Sequence, residues 1–472
     1  MNQTLTMKFG GTSVGSVSAI RQSAQLIKSA KADWKNVIVV VSAMSKVTNL
    51  LIEGTQAATL GQNKRYLNIA DELTRLHSDV IFELLTSQAE QDHAYGRLTA
   101  HINEFKSLCH AIEILGEASP RAMDVVSSLG ERINYHVVAA HLREIGVSAE
   151  AVLATELIRT DSVFQSASPD MLISRQITQT RLNPLLEAGS VPVVTGFLGA
   201  TEQGAITTLG RGGSDYSGAI VAACSDSQEL WIWTDVPGVM TGDPRVVKHA
   251  RTLPKVTYRE VSELAYYGAK VLHPKTIRPV LESGTALWVK NTFDPNGEAT
   301  LIVQDGSPTD SVSPLRAVTA IKGQTMITVE GRGMIGVQGI AARTFGAVAR
   351  AHASVTLITQ ASSEQSICFS VPTSDGRRVV AALEEEFSRE LHRRDIDSIL
   401  TLDDVVIVTV VGSGMQHTPG VSGRIFSALG NKGLNIIAIA QGSSECAISL
   451  VTSAADADES VRTIHELIVG EN

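Results

Sequence analysis

The chain is 472 residues long, 43% hydrophobic and 19% charged, with a formal net charge of −9. That composition supplies core for about three domains and offers no basic field for nucleic acid or an anionic membrane. No apolar run reaches the ~20 residues of a spanning helix, and the N-terminus lacks the basic start and apolar core of a signal peptide, so a cytoplasmic protein is expected. Cys109, Cys224, Cys368 and Cys446 are scattered, without disulfide-framework or metal-ligand spacing, and read as reduced, mostly buried thiols.

The first candidate strand, residues 4–9, carries Lys8 and ends in Gly10-Gly11, followed by Thr12-Ser13 and a helix-like stretch over 16–29. Glycines let backbone approach a bound group, helix-start amides favour anions, and Lys8 adds a compact positive charge suited to phosphate. Taken alone, the stretch reads more simply as a tight turn with a surface lysine. Residues 36–42 form a continuous apolar run, the pattern of a buried strand, leading into a hydroxyl-rich loop from Ser42 to Thr48. From Asn49 to about Ile145 the pattern is helical, with breaks expected near Gly61, Ser119-Pro120 and Gly130.

Strand-like runs at 149–154, 191–197, 229–234 and 286–291 then alternate with helical patterns at 170–187, 215–223 and 258–283. The alternation predicts a parallel or mixed α/β sheet covered on both faces. Ligands of such sheets bind beyond the carboxyl ends of the strands, where Gly10, Gly11, Ser42, Thr234 and Asp235 fall.

Residues 293–313 turn to Asp, Pro, Asn, Gly and Ser and mark a domain boundary. Beyond it lies an internal repeat. Val329 to Gly339 aligns without a gap on Val410 to Gly420, and the same offset matches Arg343 with Arg424, Phe345 with Phe426 and Gln360 with Gln441. Each copy reads strand, helix, strand, strand, helix, the order of a ferredoxin-like sandwich. The second copy ends without a final strand, and the spare run 315–321 is expected to complete its sheet.

Gly331-Arg332-Gly333-Met334-Ile335-Gly336 matches a dinucleotide-binding fingerprint, yet Gln360 rather than an acidic residue ends the next strand, and the repeat accounts for the glycines as module turns. No Walker A sequence occurs. More informative is Gly210-Arg211-Gly212-Gly213-Ser214-Asp215, where a rigid bidentate cation sits in a flexible loop before a helix. Ser214 or Asp215 also suits a plain helix cap. Asp243-Pro244-Arg245 fits a solvated turn, and His273 a structural histidine at a helix break.

Together, Lys8-Phe9-Gly10-Gly11-Thr12-Ser13, Thr208-Leu209-Gly210-Arg211-Gly212-Gly213-Ser214-Asp215, Trp233-Thr234-Asp235-Val236-Pro237-Gly238 and Gly268-Ala269-Lys270-Val271-Leu272-His273-Pro274 resemble the aspartate kinase family. The match spans nearly the whole chain, and the repeats resemble paired ACT modules. The resemblance implies an amino-acid-kinase fold over residues 1–295, a three-layer αβα sandwich on a mixed, mostly parallel sheet. A linker at 296–314 and two βαββαβ ACT modules, 315–400 and 401–472, are implied to follow.

The implied reaction moves the γ-phosphoryl of ATP to the β-carboxylate of L-aspartate, with Mg2+ carried by the nucleotide and no metal held by the protein. Such an acceptor is already ionised at neutral pH, so positioning and charge neutralisation suffice. By the resemblance, Lys8 meets the transferring group with Gly10 and Gly11 near the phosphates, and Asp215 orients the lysine. Arg211 grips the α-carboxylate, Glu131 pairs the α-ammonium, and Ser42, Ala43, Thr48 and Ser214 close on the substrate. Thr234, Asp235, Met240, Arg245, Lys270 and Val271 match positions lining the nucleotide site, although Met240 stands where relatives carry tyrosine.

The regulatory half resembles threonine-responsive members, because Thr356 replaces an acidic residue of lysine-responsive ones. Gln360 and Gln441 then offer amides to a hydroxyl or carboxylate. Feedback by L-threonine across an ACT-mediated homodimer or larger assembly is expected. With the chain ending at Asn472, a monofunctional kinase is expected too. The rivals are an amino-acid kinase acting on glutamate, acetylglutamate or a nucleotide and a non-catalytic sensor on a degenerate kinase domain. Glu131 with Arg211 argues against acylated and nucleotide substrates, and Lys8, Glu131, Arg211 and Asp215 together argue against the sensor.

Overall fold

The computed structural model describes residues 4–269, 272, 274–304, 313–334, 338–360, 365–416, 418–442 and 445–470. Its contacts divide the chain into two units: Met1–Val239, Thr252–Tyr258 and Val271–Ser307, and Met240–Arg251, Arg259–Lys270 and Pro308–Asn472. No described helix is long and apolar enough to cross a membrane.

The first unit contains β1 (Thr4–Phe9), β2 (Asn36–Val41), β3 (Ala149–Val152), β4 (Val191–Thr195), β5 (Leu198–Ala200), β6 (Ile206–Thr208), β7 (Glu229–Thr234), β8 (Lys255–Thr257), β9 (Ala286–Asn291) and β10 (Thr300–Val303). Eight of these form a sheet in the order β3-β4-β2-β1-β7-β9-β10-β8, while β5 and β6 pair separately. Every neighbour in the sheet is parallel except β9 and β10. The unbroken apolar run of β2 now has its cause: Val37, Val39 and Val41 face one helical layer and Ile38 and Val40 the other. The first layer is α1 (Val17–Asp33), α2 (Val47–Thr59), α3 (Asn63–Leu84), α4 (Gln88–Leu115) and α5 (Pro120–Glu144); the second is α6 (Met171–Glu187) and α7 (Gly213–Cys224). The result is the expected three-layer αβα sandwich.

Several boundaries differ from expectation. α5 starts as its sequence suggests, with Ser119 Oγ accepting the Ala122 amide at 3.2 Å and Pro120 opening the helix. It then runs through Gly130 without the expected break. A Cβ on Gly130 would stand 2.7 Å from Ala43 Cβ and 2.9 Å from Val47 Cγ1, so this glycine serves close packing rather than a turn. The helix expected over 258–283 is two, Tyr258–Tyr266 and Pro274–Ser283, and the strand expected over 191–197 ends at Thr195, leaving two residues before β5 begins.

In the second unit β11 (Ala317–Glu330), β12 (Leu357–Gln360), β13 (Ser366–Pro372), β14 (Ser398–Val411), β15 (Ala438–Gln441) and β16 (Ala447–Ser453) form one antiparallel sheet in the order β12-β13-β11-β14-β16-β15. The two 14-residue strands serve both repeats. Residues 324–330 of β11 pair with β13 of the first copy, while 317–321 pair with Ile407–Val411 of the second. The repeat's glycines do equivalent packing jobs. Cβ atoms on Gly331 and Gly333 would meet backbone at Asp395 within 2.7 Å, and those on Gly412 and Gly414 backbone at Pro314 within 2.9 Å.

Candidate active site

The carboxyl end of β1 delivers Lys8 to a cavity of about 310 Å3 in the first unit. Its lining also includes Ser42 just after β2, Thr48 in the first turn of α2, Glu131 in the middle of α5, and Arg211, Ser214 and Asp215 around the start of α7. Seven residues expected in one site, drawn from positions 8 to 215, thus share one cavity. Ala43 stands beneath it, with its carbonyl 3.1 Å from where a Cβ on Gly11 would lie.

Lys8 is 5% exposed, and its Nζ lies 2.5 Å from Asp215 Oδ1. Asp215 occupies the first turn of α7, where the helix dipole favours a negative charge. The stem of Lys8 is held as well: a Cβ on Gly218 would come 3.0 Å from Lys8 Cβ. Gly10 donates its own amide to the Trp233 carbonyl at 3.1 Å. That proton is therefore not offered to a phosphate, and the residue's service is a side-chain-free path 3.6 Å from Lys8 Nζ. Thr234 and Asp235 follow Trp233 at the end of β7, the Thr234 hydroxyl donating to Asp235 Oδ1 at 3.2 Å.

Glu131 is 3% exposed on α5, and its Oε2 has no hydrogen-bond partner among the described residues. Burial pushes its carboxyl up to about 8, opposed by the Ala43 amide and the Lys8 charge. A buried acceptor lacking a partner is poised for a cationic donor from a ligand. Arg211, by contrast, is exposed, between Gly210 at φ 79° and Gly212 at φ 71°. Both glycines lie in the left-handed region, which frees the loop to turn twice and start α7. A solvated guanidinium opposite a buried carboxylate suits a small zwitterion.

Sequence reasoning missed three contributors. Phe197 lines the cavity with φ 68°, a conformation costly for an aromatic residue, and its ring fills the space beside Gly213, where a Cβ would lie 2.5 Å from Phe197 Cδ2. Its position at the end of an expected strand, after Gly196, was the available signal. Asp124 and Asn134, buried on α5, gave none, since a polar residue in a helix does not announce its burial.

Met240 and Arg245 belong to the second unit, where Arg245 pairs with Asp243 at 2.6 Å. Lys270, Val271 and His273 lie outside the described residues. Also in the second unit, Gln360 at the end of β12 and Gln441 at the end of β15 are both exposed; Gln360 lines a cavity of about 540 Å3 with Met326, Cys368, Leu400 and Leu402, and Gln441 is not among its lining residues. Thr356 has its hydroxyl engaged by Gln324 Oε1 at 2.8 Å and Ser370 Oγ at 2.7 Å.

The chain matches the amino acid kinase family over residues 3–291 and the ACT domain over 327–387 and 408–467. It is 34% identical over 468 residues to the bifunctional aspartokinase/homoserine dehydrogenase of Haemophilus influenzae, covering 98% of this chain and 56% of that one. It is 31% identical over 478 residues to the chloroplastic aspartokinase 1 of Arabidopsis thaliana, covering 98% and 80% respectively. The chain spans about half the length of the bifunctional relatives it matches. The crystal structure of E. coli aspartokinase III in complex with aspartate and ADP (R-state) is similar with a TM-score of 0.81 at 28% identity, covering 98% of this chain and 99% of that one. The same enzyme in complex with lysine and aspartate (T-state) gives 0.77 at 29%, with the same coverage. The chain therefore belongs to the amino acid kinase family, and within it to the aspartokinases.

Proposed function

We propose that this chain phosphorylates the β-carboxylate of L-aspartate with MgATP, giving 4-phospho-L-aspartate and ADP. The observation that carries the reading is one cavity holding a buried Glu131 carboxylate whose Oε2 lacks a partner among the described residues, the Arg211 guanidinium and the Lys8 ammonium. Glu131 takes the α-ammonium and Arg211 the α-carboxylate, leaving the β-carboxylate to Lys8, Ser42, Ala43, Thr48 and Ser214. A β-carboxylate oxygen forms the new bond to the γ-phosphorus while the bond to the β–γ bridging oxygen breaks, and ADP leaves with that electron pair. No proton has to move, so the protein's work is alignment and charge neutralisation. Lys8 supplies that charge and Asp215 keeps its ammonium in place between turnovers. The nucleotide lies toward Thr234 and Asp235, and magnesium arrives with it.

Regulation is read the same way. L-threonine acts through Gln360 and Gln441, and the protein works as a homodimer or larger assembly through its ACT modules. The large apolar side chains Ile358, Leu400, Leu402 and Ile439, each between 42% and 51% exposed on strands of the second unit, support self-association. The main test is ADP release with aspartate in the presence of hydroxylamine, which traps an acyl phosphate as the hydroxamate. Aspartate-dependent hydroxamate is the expected result. Turnover with glutamate but not aspartate, or no turnover, overturns the reading in favour of another amino-acid kinase or a non-catalytic sensor.

A further inference from the structure

Asp124 lies seven residues before Glu131 on α5, two helical turns away and so on nearly the same side. It is 0% exposed, and its carboxylate collects donors from two distant segments. The Gln165 amide reaches both oxygens at 3.0 Å, the Thr208 amide reaches one at 3.0 Å, and the Thr208 hydroxyl reaches the other at 2.7 Å. Thr208 ends β6, and Arg211 follows three residues later. The two anchored segments also meet each other. The Ala167 amide donates to the Thr208 carbonyl at 3.0 Å, and a Cβ on Gly210 would lie 3.0 Å from the Gln165 carbonyl. Gln165 itself sits at φ 69°, in the left-handed region. One buried charge thus holds both the strand that feeds Arg211 and the loop behind it.

The opposite wall hangs on the same helix. Asn134, three residues after Glu131 and 0% exposed, donates its Nδ2 to the Ser42 carbonyl at 2.8 Å. α5 therefore carries Glu131 and fixes the chain segments on either side of it. Burying a carboxylate is costly unless its hydrogen bonds are used, and here all of them go to main chain or hydroxyl next to the substrate loop.

We propose that Asp124 is a positioning residue for the amino-acid substrate, setting where Arg211 stands relative to Glu131. The inference rests on the reading of this cavity as the aspartate site. It places the selectivity for a particular length of zwitterion partly in a residue that never touches it. An asparagine there keeps the size but turns an NH2 toward donors, and a valine at 208 removes the hydroxyl while keeping the amide bond.

Steady-state hydroxamate and ADP assays on the full-length wild type, Asp124→Asn and Thr208→Val make the test. Loss of hydrogen bonds to a charged group leads one to expect the aspartate KM to rise about tenfold or more in Asp124→Asn and about threefold or more in Thr208→Val, with the ATP KM within about twofold of wild type. Their double variant should fall short of the product of the two effects, because the variants remove a shared bond. A drop in kcat or thermal midpoint with an unchanged aspartate KM makes Asp124 merely structural and overturns the proposal. If Asp124→Asn does not fold, an unchanged aspartate KM in Thr208→Val overturns it equally. Wild-type turnover that ignores aspartate overturns the cavity assignment itself, and with it the proposal; that failure shows in the wild type alone.

Discussion

Lys8 Nζ and Asp215 Oδ1 stand 2.5 Å apart, tying the end of β1 to the first turn of α7. The ammonium is held by a counter-ion on one side and by the close approach of Gly218 to its stem on the other. An arriving phosphoryl group finds the charge already aimed, with little reorganisation left to do. Lys8→Ala is expected to cost at least about 100-fold in kcat, the scale of losing one preorganised electrostatic contact. Asp215→Asn should cost less, because the lysine keeps its charge and loses only its tether. Hydroxamate assays measure both, and unchanged circular dichroism in Lys8→Ala shows that the fold survives.

Glu131 gives the site a pH signature. Its carboxyl titrates near 4.5 in an unfolded chain, and burial, against the Ala43 amide and the Lys8 charge, pushes it up to about 8 in the folded protein. Between those two values the folded state holds a proton that the unfolded state has lost. Its contribution to stability therefore declines as pH rises through that window and is level outside it. An incoming α-ammonium requires the ionised form, so aspartate affinity should run the other way. It should rise up to about tenfold per pH unit below 8 and flatten above. Glu131→Gln is expected to weaken binding and erase the slope. The aspartate KM measured from about pH 6 to 9 in both proteins decides it, and a flat wild-type profile removes Glu131 from the ammonium site.

Much of this arrangement was legible in the sequence, for definite reasons. β7 and β9 match their expected ranges, Glu229–Thr234 and Ala286–Asn291, because the short apolar runs Leu230–Trp233 and Leu287–Val289, rich in aromatic and β-branched residues, stand out as strands. Lys8, Arg211 and Asp215 were legible because each lies in or beside a glycine-rich turn. Gly130 misled, since a glycine that admits a neighbouring loop looks in sequence like one that ends a helix. Asp124 stayed hidden because its partners lie 41 and 84 residues away, and no local pattern encodes that pairing. Phe197 was hidden differently: a positive φ on an aromatic residue is a tertiary compromise that local preference argues against.

The effector reading makes an asymmetric expectation. Gln360 and its repeat counterpart Gln441 are both exposed at the ends of β12 and β15, but of the two Gln360 lines the cavity of about 540 Å3 in the second unit and Gln441 does not. Gln360→Ala should therefore relieve threonine inhibition more than Gln441→Ala, each raising the half-inhibitory concentration with aspartate and ATP constants unchanged. The assay is threonine titration of hydroxamate formation in the three proteins. Inhibition by millimolar lysine with none by threonine would show that the ligand is a different amino acid.

Gly130 offers the most direct check that α5 sets the shape of the cavity. A Cβ there must displace Ala43 or Val47, both buried and neither able to swing aside as a flexible tip would. Alanine is the better helix former by roughly 1 kcal/mol, so propensity alone would make Gly130→Ala stabilising. Overpacking at this contact costs about 1–3 kcal/mol and should win. The displaced segment runs from Ser42 to Thr48, so the strain falls on the substrate side of the cavity. The expected outcome is a lower urea midpoint together with a higher aspartate KM, the ATP KM moving little. A more stable protein with wild-type kinetics would mean that the 43–47 segment yields freely, and that α5 does not hold that wall.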